Sequence, residues 1–344
     1  MCKVGLVKSK MSRTWLAVAI AVCLLSASRT SAVDDEEDSV SPFKNTFIIS
    51  AHRAGGRVHA PDNSMPNILY AIQNQFTAVE VDLRLTEDGD LALWHDASLP
   101  KMYVEPGAAG KIAVSSLSSD QVSDIRYSAM VGDKLWDDVK VVFADELVKA
   151  TKGKINLHVH PKDMPAKTII QFIRGHKIQE ECMVMHNDVD YLRKIASAEP
   201  DVCLEYCDNT LGRRQIDGVW QWYPAEKQHE LYRQLMKELE TAGIDAFCTK
   251  GLTKQKVAIC HEYGIMVRTS AAHMQPGHQP DRYLEMGVDY ALTDDPILMK
   301  ESVRRLRPAW ALSKPGQTFF ELVRGNKYPL VQKNEASPRK GPNK

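Results

Sequence analysis

From residue 46 onward, short apolar runs alternate with stretches in which apolar residues return every three or four positions. The runs fall at 47–50, 79–85, 154–159, 182–185, 202–206, 246–248, 265–267 and 290–292, with a shorter one at 91–94 beside the second. Amphipathic stretches fill most of the intervals, at 67–74, 166–174, 191–198, 225–242, 254–263 and 280–286. Gly243, Gly264 and Gly287 stand just past three of them, where helix C-termini favour glycine. Strand alternating with helix predicts parallel pairing through right-handed crossovers. Eight such repeats predict one α/β domain, a closed (β/α)8 or TIM barrel over residues 46–312, with its chemistry at the C-terminal ends of the strands. A doubly wound open sheet is the alternative that a strand count leaves open. No G-x-G-x-x-G follows the first run, so its dinucleotide-binding version is disfavoured.

The ends of the chain read differently. Lys3, Lys8, Lys10 and Arg13 precede an apolar run from Trp15 to Leu25 and a small-residue stretch ending at Ala32. This is the pattern of a cleaved export signal over 1–32, and the run is too short for a comfortable bilayer span. It predicts a secreted or periplasmic protein without stable membrane insertion. Residues 33–45 read as an acidic linker and 313–344, rich in Pro, Lys and Asn, as a flexible tail.

Among the 344 residues, 44 basic side chains balance 44 acidic ones, which disfavours nucleic acid as a partner and requires an anionic ligand to be captured locally. Cys182, Cys203, Cys207, Cys248 and Cys260 lie beyond the signal; an odd number at these spacings matches no zinc module and reads as buried small hydrophobes, with one bridge left open. The oligomeric state is also left open.

Three local patterns carry chemistry. The first strand runs into His52-Arg53, a proton-transfer group beside a fixed cation. In the second, Glu80, Asp82 and Arg84 share one face by strand alternation. Two carboxylates facing a barrel interior demand a cation, and a hard divalent ion satisfies that demand. After the Asp88-Gly89 turn comes Trp94-His95-Asp96, which places a second histidine beside the carboxylates. Two histidines flanking a metal-bound phosphoryl group form a general acid and a general base.

These patterns resemble the glycerophosphodiester phosphodiesterase family, whose His-Arg-Gly, Pro-Glu-Asn-Thr, Glu-x-Asp, Thr-x-Asp-Gly and His-Asp appear here as His52-Arg53, Pro61-Asp62-Asn63-Ser64, Glu80-Val81-Asp82, Thr86-Glu87-Asp88-Gly89 and His95-Asp96. Residues 142–147, and Gly287-Val288-Asp289 with Thr293-Asp294-Asp295-Pro296, are similar to later segments of the family, so the resemblance spans about 46–305. It implies a TIM barrel and hydrolysis of a phospholipid-derived phosphodiester with a divalent cation, Mg or Ca. It further implies His52 and His95 as the acid–base pair, Arg53 as a phosphate contact, and Glu80, Asp82 and Asp62 as metal ligands. Asp62 is one methylene shorter than the family's Glu.

One departure stands out. Where the family's third strand carries Glu-x-Lys, the stretch Ile155-Asn156-Leu157-His158-Val159-His160-Pro161-Lys162 is read as placing His158 at the Glu and His160 at the Lys. His158 as a ligand shifts the preference toward Mn or Zn. Arg268, on the seventh strand, is the expected replacement phosphate contact, and His160, His186 and Lys250 are further candidates at the same face. Trp220, Trp222 and Tyr223 line the mouth or pack on the long helix that follows. Two other readings stay open: a zinc amidohydrolase-like barrel built on His158-Val159-His160, and a secreted binding protein that has lost turnover.

Overall fold

The structure, a computed structural model, describes residues 46–99, 112–269, 280–309, 311–314 and 316–325. The expected signal at 1–32, the acidic linker at 33–45 and the chain from 326 lie outside the described residues. Eight parallel strands close on themselves: β1 (Thr46–Ala51) pairs with β2 (Ala78–Leu85) and with β13 (Tyr290–Thr293). Between them run β6 (Asn156–Pro161), β7 (Cys182–His186), β8 (Cys203–Cys207), β11 (Ala246–Thr249) and β12 (Met266–Thr269), each parallel to its neighbours. All eight apolar runs become barrel strands, and the closure excludes the open sheet. The short β3 (Leu91–Leu93) pairs antiparallel with the end of β2, as its run beside the second strand predicts.

Period-two patterning places the two sides of each strand in different surroundings. Val79, Val81 and Leu83 of β2 face outward into the main core, against Ile68 of α1 (Met65–Gln73) and Leu147 of α3 (Ala144–Thr151). The other ring helices, among them α4 (Ala166–His176), α5 (Val189–Ala198) and α6 (Ala225–Thr241), cover the remaining strands with apolar stripes.

Two elements depart from expectation. The stretch from 313 is not tail throughout: Thr318 caps the N-terminus of a short helix, α10 (Phe319–Val323), through the Glu321 backbone N–H. This helix buries Phe319, Leu322 and Val323 against Ile48, Ala78, Met183, Cys203, Ala246 and Met266. It closes the floor of the barrel, and Asn156 of β6 ties it down by accepting from the Phe319 N–H at 3.0 Å. Composition reads the segment as a flexible tail because four apolar residues, Phe319, Phe320, Leu322 and Val323, carry little weight in an average over Pro, Lys and Asn. Second, two hairpins rise from loops at the C-terminal ends of barrel strands: β4 (Arg126–Val131) with β5 (Lys134–Lys140), and β9 (Arg213–Ile216) with β10 (Val219–Trp222).

Phe319→Ala will lower stability by about 3 kcal/mol, the usual scale for emptying a buried aromatic site. Denaturant unfolding monitored by circular dichroism checks it, and an unchanged midpoint would show that α10 is not part of the folded barrel.

Candidate active site

At the mouth of the barrel, β1 runs into a turn that ordinary backbone resists. Arg53 and Ala54 both adopt positive φ, at 49° and 81°, conformations that non-glycine residues hold only where the surroundings enforce them. Gly56 follows at positive φ, and a Cβ there would lie 2.5 Å from the Asp294 carbonyl oxygen, so only glycine fits. The turn aims the Arg53 backbone N–H at the Glu80 carboxylate, 2.9 Å away. It also holds His52 with Nδ1 2.5 Å from Asp294 Oδ1 and Nε2 4.0 Å from Glu80 Oε2. Burial lowers the His52 pKa, and the Asp294 carboxylate opposes that shift.

Glu80 and Asp82 face the interior at 1% exposure, as their alternation predicts. Burial and the neighbouring Asp82 push the Glu80 carboxyl up to about 8. Burial acts on Asp82 in the same direction, but His160, Lys162 and Asn63 outweigh it and keep that carboxyl low. Asn63 donates from Nδ2 to Asp82 Oδ2 at 3.0 Å. The register sets the rest: β2 and β6 pair Glu80 with His158 and Asp82 with His160. His160 Nδ1 lies 3.4 Å from Asp82 and 3.9 Å from Glu80, and Lys162 Nζ lies 3.0 Å from Asp82. Ligand atoms of Glu80, Asp82 and His160 all fall within 4.8 Å of one another. Two buried carboxylates with an imidazole between them fit a divalent cation, which relieves the mutual repulsion that otherwise protonates one of them.

The third strand therefore corrects the sequence reading. His158 is not at the carboxylate pair: its Nε2 lies 2.6 Å from Glu205 Oε2 and its Nδ1 3.2 Å from Ser50 Oγ, fully buried one layer down. Both pairs of positions, 158 with 160 and 160 with 162, share the inward face, so alternation alone does not choose between them. The side-chain contacts choose the second, since His160 and Lys162 reach Asp82 while His158 turns to Glu205. His160 takes the expected Glu position and Lys162 the lysine's, which leaves one departure from the family pattern instead of two.

Arg268 needs a second correction. It is buried and donates from Nε to Glu205 Oε1 at 2.6 Å, with Nη2 3.5 Å from Cys207 Sγ, so it neutralises an internal carboxylate and does not face a ligand at the mouth. Burial pushes the Glu205 carboxyl up, but Arg268 and His158 more than reverse this and bring it to about 2. Glu205, Cys207 and Cys248 also lie close enough to share an ion, but the guanidinium already supplies the positive charge, and burial pushes the Cys207 thiol well up. All five described cysteines are free, four of them buried.

Asp62 does not join the carboxylate group either. It accepts from Arg53 Nη1 at 2.5 Å and lies 3.5 Å from Arg57 Nε, its shorter side chain spent on fixing Arg53. His95 stands part-exposed at the end of β3 with Nδ1 2.7 Å from Asp96 Oδ1. Its carbonyl accepts from Arg84 Nε and Nη2, which hold the turn. His186 stacks on Tyr191 at 3.9 Å and accepts from the Asp188 N–H, and burial lowers its pKa. Lys250 is exposed at the end of β11. Asp294, Asn63 and Lys162 are site residues for which the sequence reading assigned no role. Asp294 and Asn63 lie inside motifs already quoted, and that was the available signal.

The model of the glycerophosphoryl diester phosphodiesterase family matches residues 52–298. The chain belongs to that family. Its enzyme class is phosphoric diester hydrolase, and the barrel places the family's motifs together at one mouth. Among solved structures, it is similar to a protein of Silicibacter pomeroyi, 16% identical over 78% of this chain and 97% of that one, with a TM-score of 0.62. It is also similar to a glycerophosphoryl diester phosphodiesterase of Parabacteroides distasonis, 20% identical over 78% and 92%, TM-score 0.58. An Oleispira antarctica phosphodiesterase, solved in complex with the product sn-glycerol-3-phosphate, is 16% identical over 74% and 96%, TM-score 0.57. At these identities the three speak for the fold alone. No curated protein matches the chain significantly in sequence.

Glu205→Gln will lower stability by about 3–5 kcal/mol at neutral pH, because it leaves Arg268 buried without its anion. The wild-type carboxyl titrates near 4.5 unfolded and about 2 folded, so its contribution is complete above 4.5 and lost as pH falls toward 2. Thermal melts between those pH values will show the wild type losing stability more steeply than the variant. Parallel curves would contradict the pairing.

Proposed function

We propose that this chain hydrolyses a phospholipid-derived glycerophosphodiester, using a divalent cation held by Glu80, Asp82 and His160. The observation that carries the reading is the buried carboxylate pair facing one imidazole, with Asp-backed histidines following β1 and β3. The cation, when bound, draws charge from the phosphoryl oxygens. Arg53, held by Asp62, and Lys162, just past the end of β6, meet the remaining phosphate charge. One of His52 and His95 takes the proton of the attacking hydroxyl, from water or from the substrate itself. The other gives a proton to the leaving alcohol. Asp294 and Asp96 fix the orientation of the two rings. The product bound by the Oleispira antarctica enzyme, sn-glycerol-3-phosphate, is of the kind this reaction releases. An imidazole in place of a third carboxylate reduces ligand charge and shifts preference from Mg or Ca toward Mn or Zn. The leader-like residues 1–32 support export as the setting in which the reaction occurs.

Turnover of glycerophosphocholine and of a chromogenic phosphodiester, with Mg, Ca, Mn or Zn added to chelator-treated protein, tests the reading. Chelation abolishes activity, Mn or Zn restores it best, and His52→Ala lowers kcat by about a hundredfold or more. Full activity after chelation overturns the metal, and full activity in His52→Ala overturns the acid–base pair. No turnover with any ion, together with tight ligand binding, favours a secreted binding protein instead.

His160→Glu, which restores an all-carboxylate set, will move the ion preference back toward Mg and Ca, read by calorimetric titration with each ion and no substrate. An unchanged order of affinities would remove His160 from the ligand set.

A further inference from the structure

Eight large hydrophobic side chains are exposed among the described residues. Leu69 and Leu298 sit singly on outer helices, α1 and α9 (Pro296–Leu306), as scattered surface hydrophobics do. The other six, Val58, Met130, Leu135, Val219, Trp220 and Trp222, all lie on loops or hairpins that leave the C-terminal ends of barrel strands. They therefore crowd the end of the molecule that holds the site and are lacking at the floor.

The two hairpins leave separate parts of the ring, the first inserted after β2 and the second after β8, three strands further round. Each is fastened at its base and bare at its tip. Tyr127 packs edge-on against Trp94 at 6.0 Å, and Trp136 meets His59, of the loop that carries Val58, at 6.0 Å. These contacts leave Met130 and Leu135 facing solvent on either side of the Gly132 turn. On the second hairpin, Trp222 lies across Gly251 at the barrel rim, while Val219 and Trp220 project beyond it at 60% and 46% exposure. A lone two-stranded hairpin is marginal in water, so apolar tips on two of them call for something that covers the tips.

We propose that this end of the barrel docks on a zwitterionic phospholipid surface, with Val219 and Trp220 on one hairpin and Met130 and Leu135 on the other entering the headgroup layer. Cations beside the aromatics mark an interface of mixed polarity. Arg213 lies over the rings of Trp220 and Trp222 at 5.5 and 5.1 Å, and Lys134 over Trp136 at 3.5 Å. Indole beside a guanidinium, apolar in body and polar at the edge, suits the headgroup region. Charge selects the lipid: on the first hairpin Arg126, Lys134 and Lys140 are matched by Asp133, Asp137 and Asp138, and the second carries Arg213 and Arg214 against Asp217, an excess of one charge that is too small to require an anionic surface. The exposed apolar residues sit on narrow two-stranded tips and form no broad face of the kind a stable protein interface needs. No described helix is long and apolar enough to cross a membrane, so the contact is peripheral.

Vesicle sedimentation tests this without substrate, so its outcome is independent of turnover. The full chain is mixed with phosphatidylcholine vesicles, and separately with vesicles containing phosphatidylserine, beside Val219→Ser/Trp220→Ser and Met130→Ser/Leu135→Ser in the same background. Any part played by the N-terminal residues is common to all three proteins. The wild type sediments with phosphatidylcholine, each double variant loses about fivefold or more in partition, as a few buried methylenes dictate, and hydrolysis of soluble glycerophosphocholine is unchanged. Brominated phosphatidylcholine quenches wild-type tryptophan emission, a readout that needs no variant. Four results would overturn the proposal: no sedimentation and no quenching, equal sedimentation of wild type and variants, binding that requires phosphatidylserine and vanishes in salt, or vesicle-independent self-association that the substitutions abolish. The last would assign the tips to a second copy of the chain.

Discussion

Two carboxylates on one strand, two residues apart and both turned into a barrel almost sealed from water, are the constraint around which the mouth is built. Burial of Glu80 and Asp82 is tolerable only because positive and hydrogen-bonding groups converge on them from every side. The strained turn at Arg53 contributes a backbone N–H, Asn63 an amide, and the end of β6 an imidazole and an ammonium. Even so, the Glu80 carboxyl stays far above its ordinary range. A divalent cation bound at this point would remove that residual cost.

One layer below, the interior solves a similar problem without an ion. Glu205 is held between Arg268 and His158, with Ser50 on the other nitrogen of the imidazole. Beneath this layer α10 closes the floor, with Phe319 edge-on to His158 at 6.2 Å. The barrel is thus polar in its middle and upper layers and apolar at its base. The division leaves the carboxylate pair at the mouth and pairs the lower charges with one another. A polar middle layer also explains why His158 and Arg268 look functional in a list of residues and are structural in space.

Much of this was legible in the sequence, and the limits have a physical origin. Strand and helix periods marked all eight barrel strands, and the alternation of Glu80 with Asp82 put both carboxylates inside. Alternation says which face a residue is on but not how far along the strand it stands relative to a neighbour. The histidines of β6 were therefore misplaced by one inward step, and with them the lysine. The expectation for Arg268 rests on the same step, because it takes the third strand to lack the cation that Lys162 supplies. The two hairpins escaped notice since their strands are short and mostly exposed, giving little apolar pattern. The Thr318–Glu321 capping box and four apolar neighbours mark α10 in a stretch of disorder-like composition.

The central claim is that the ion sits between β2 and β6 and is bound by His160. Anomalous diffraction from crystals soaked in Mn decides it, because it locates the ion without relying on activity. The account predicts one strong peak within coordination distance of Glu80, Asp82 and His160, with His158 still paired to Glu205. A peak at Glu205, Cys207 and Cys248, or one near Glu80 that His160 does not reach, would contradict it.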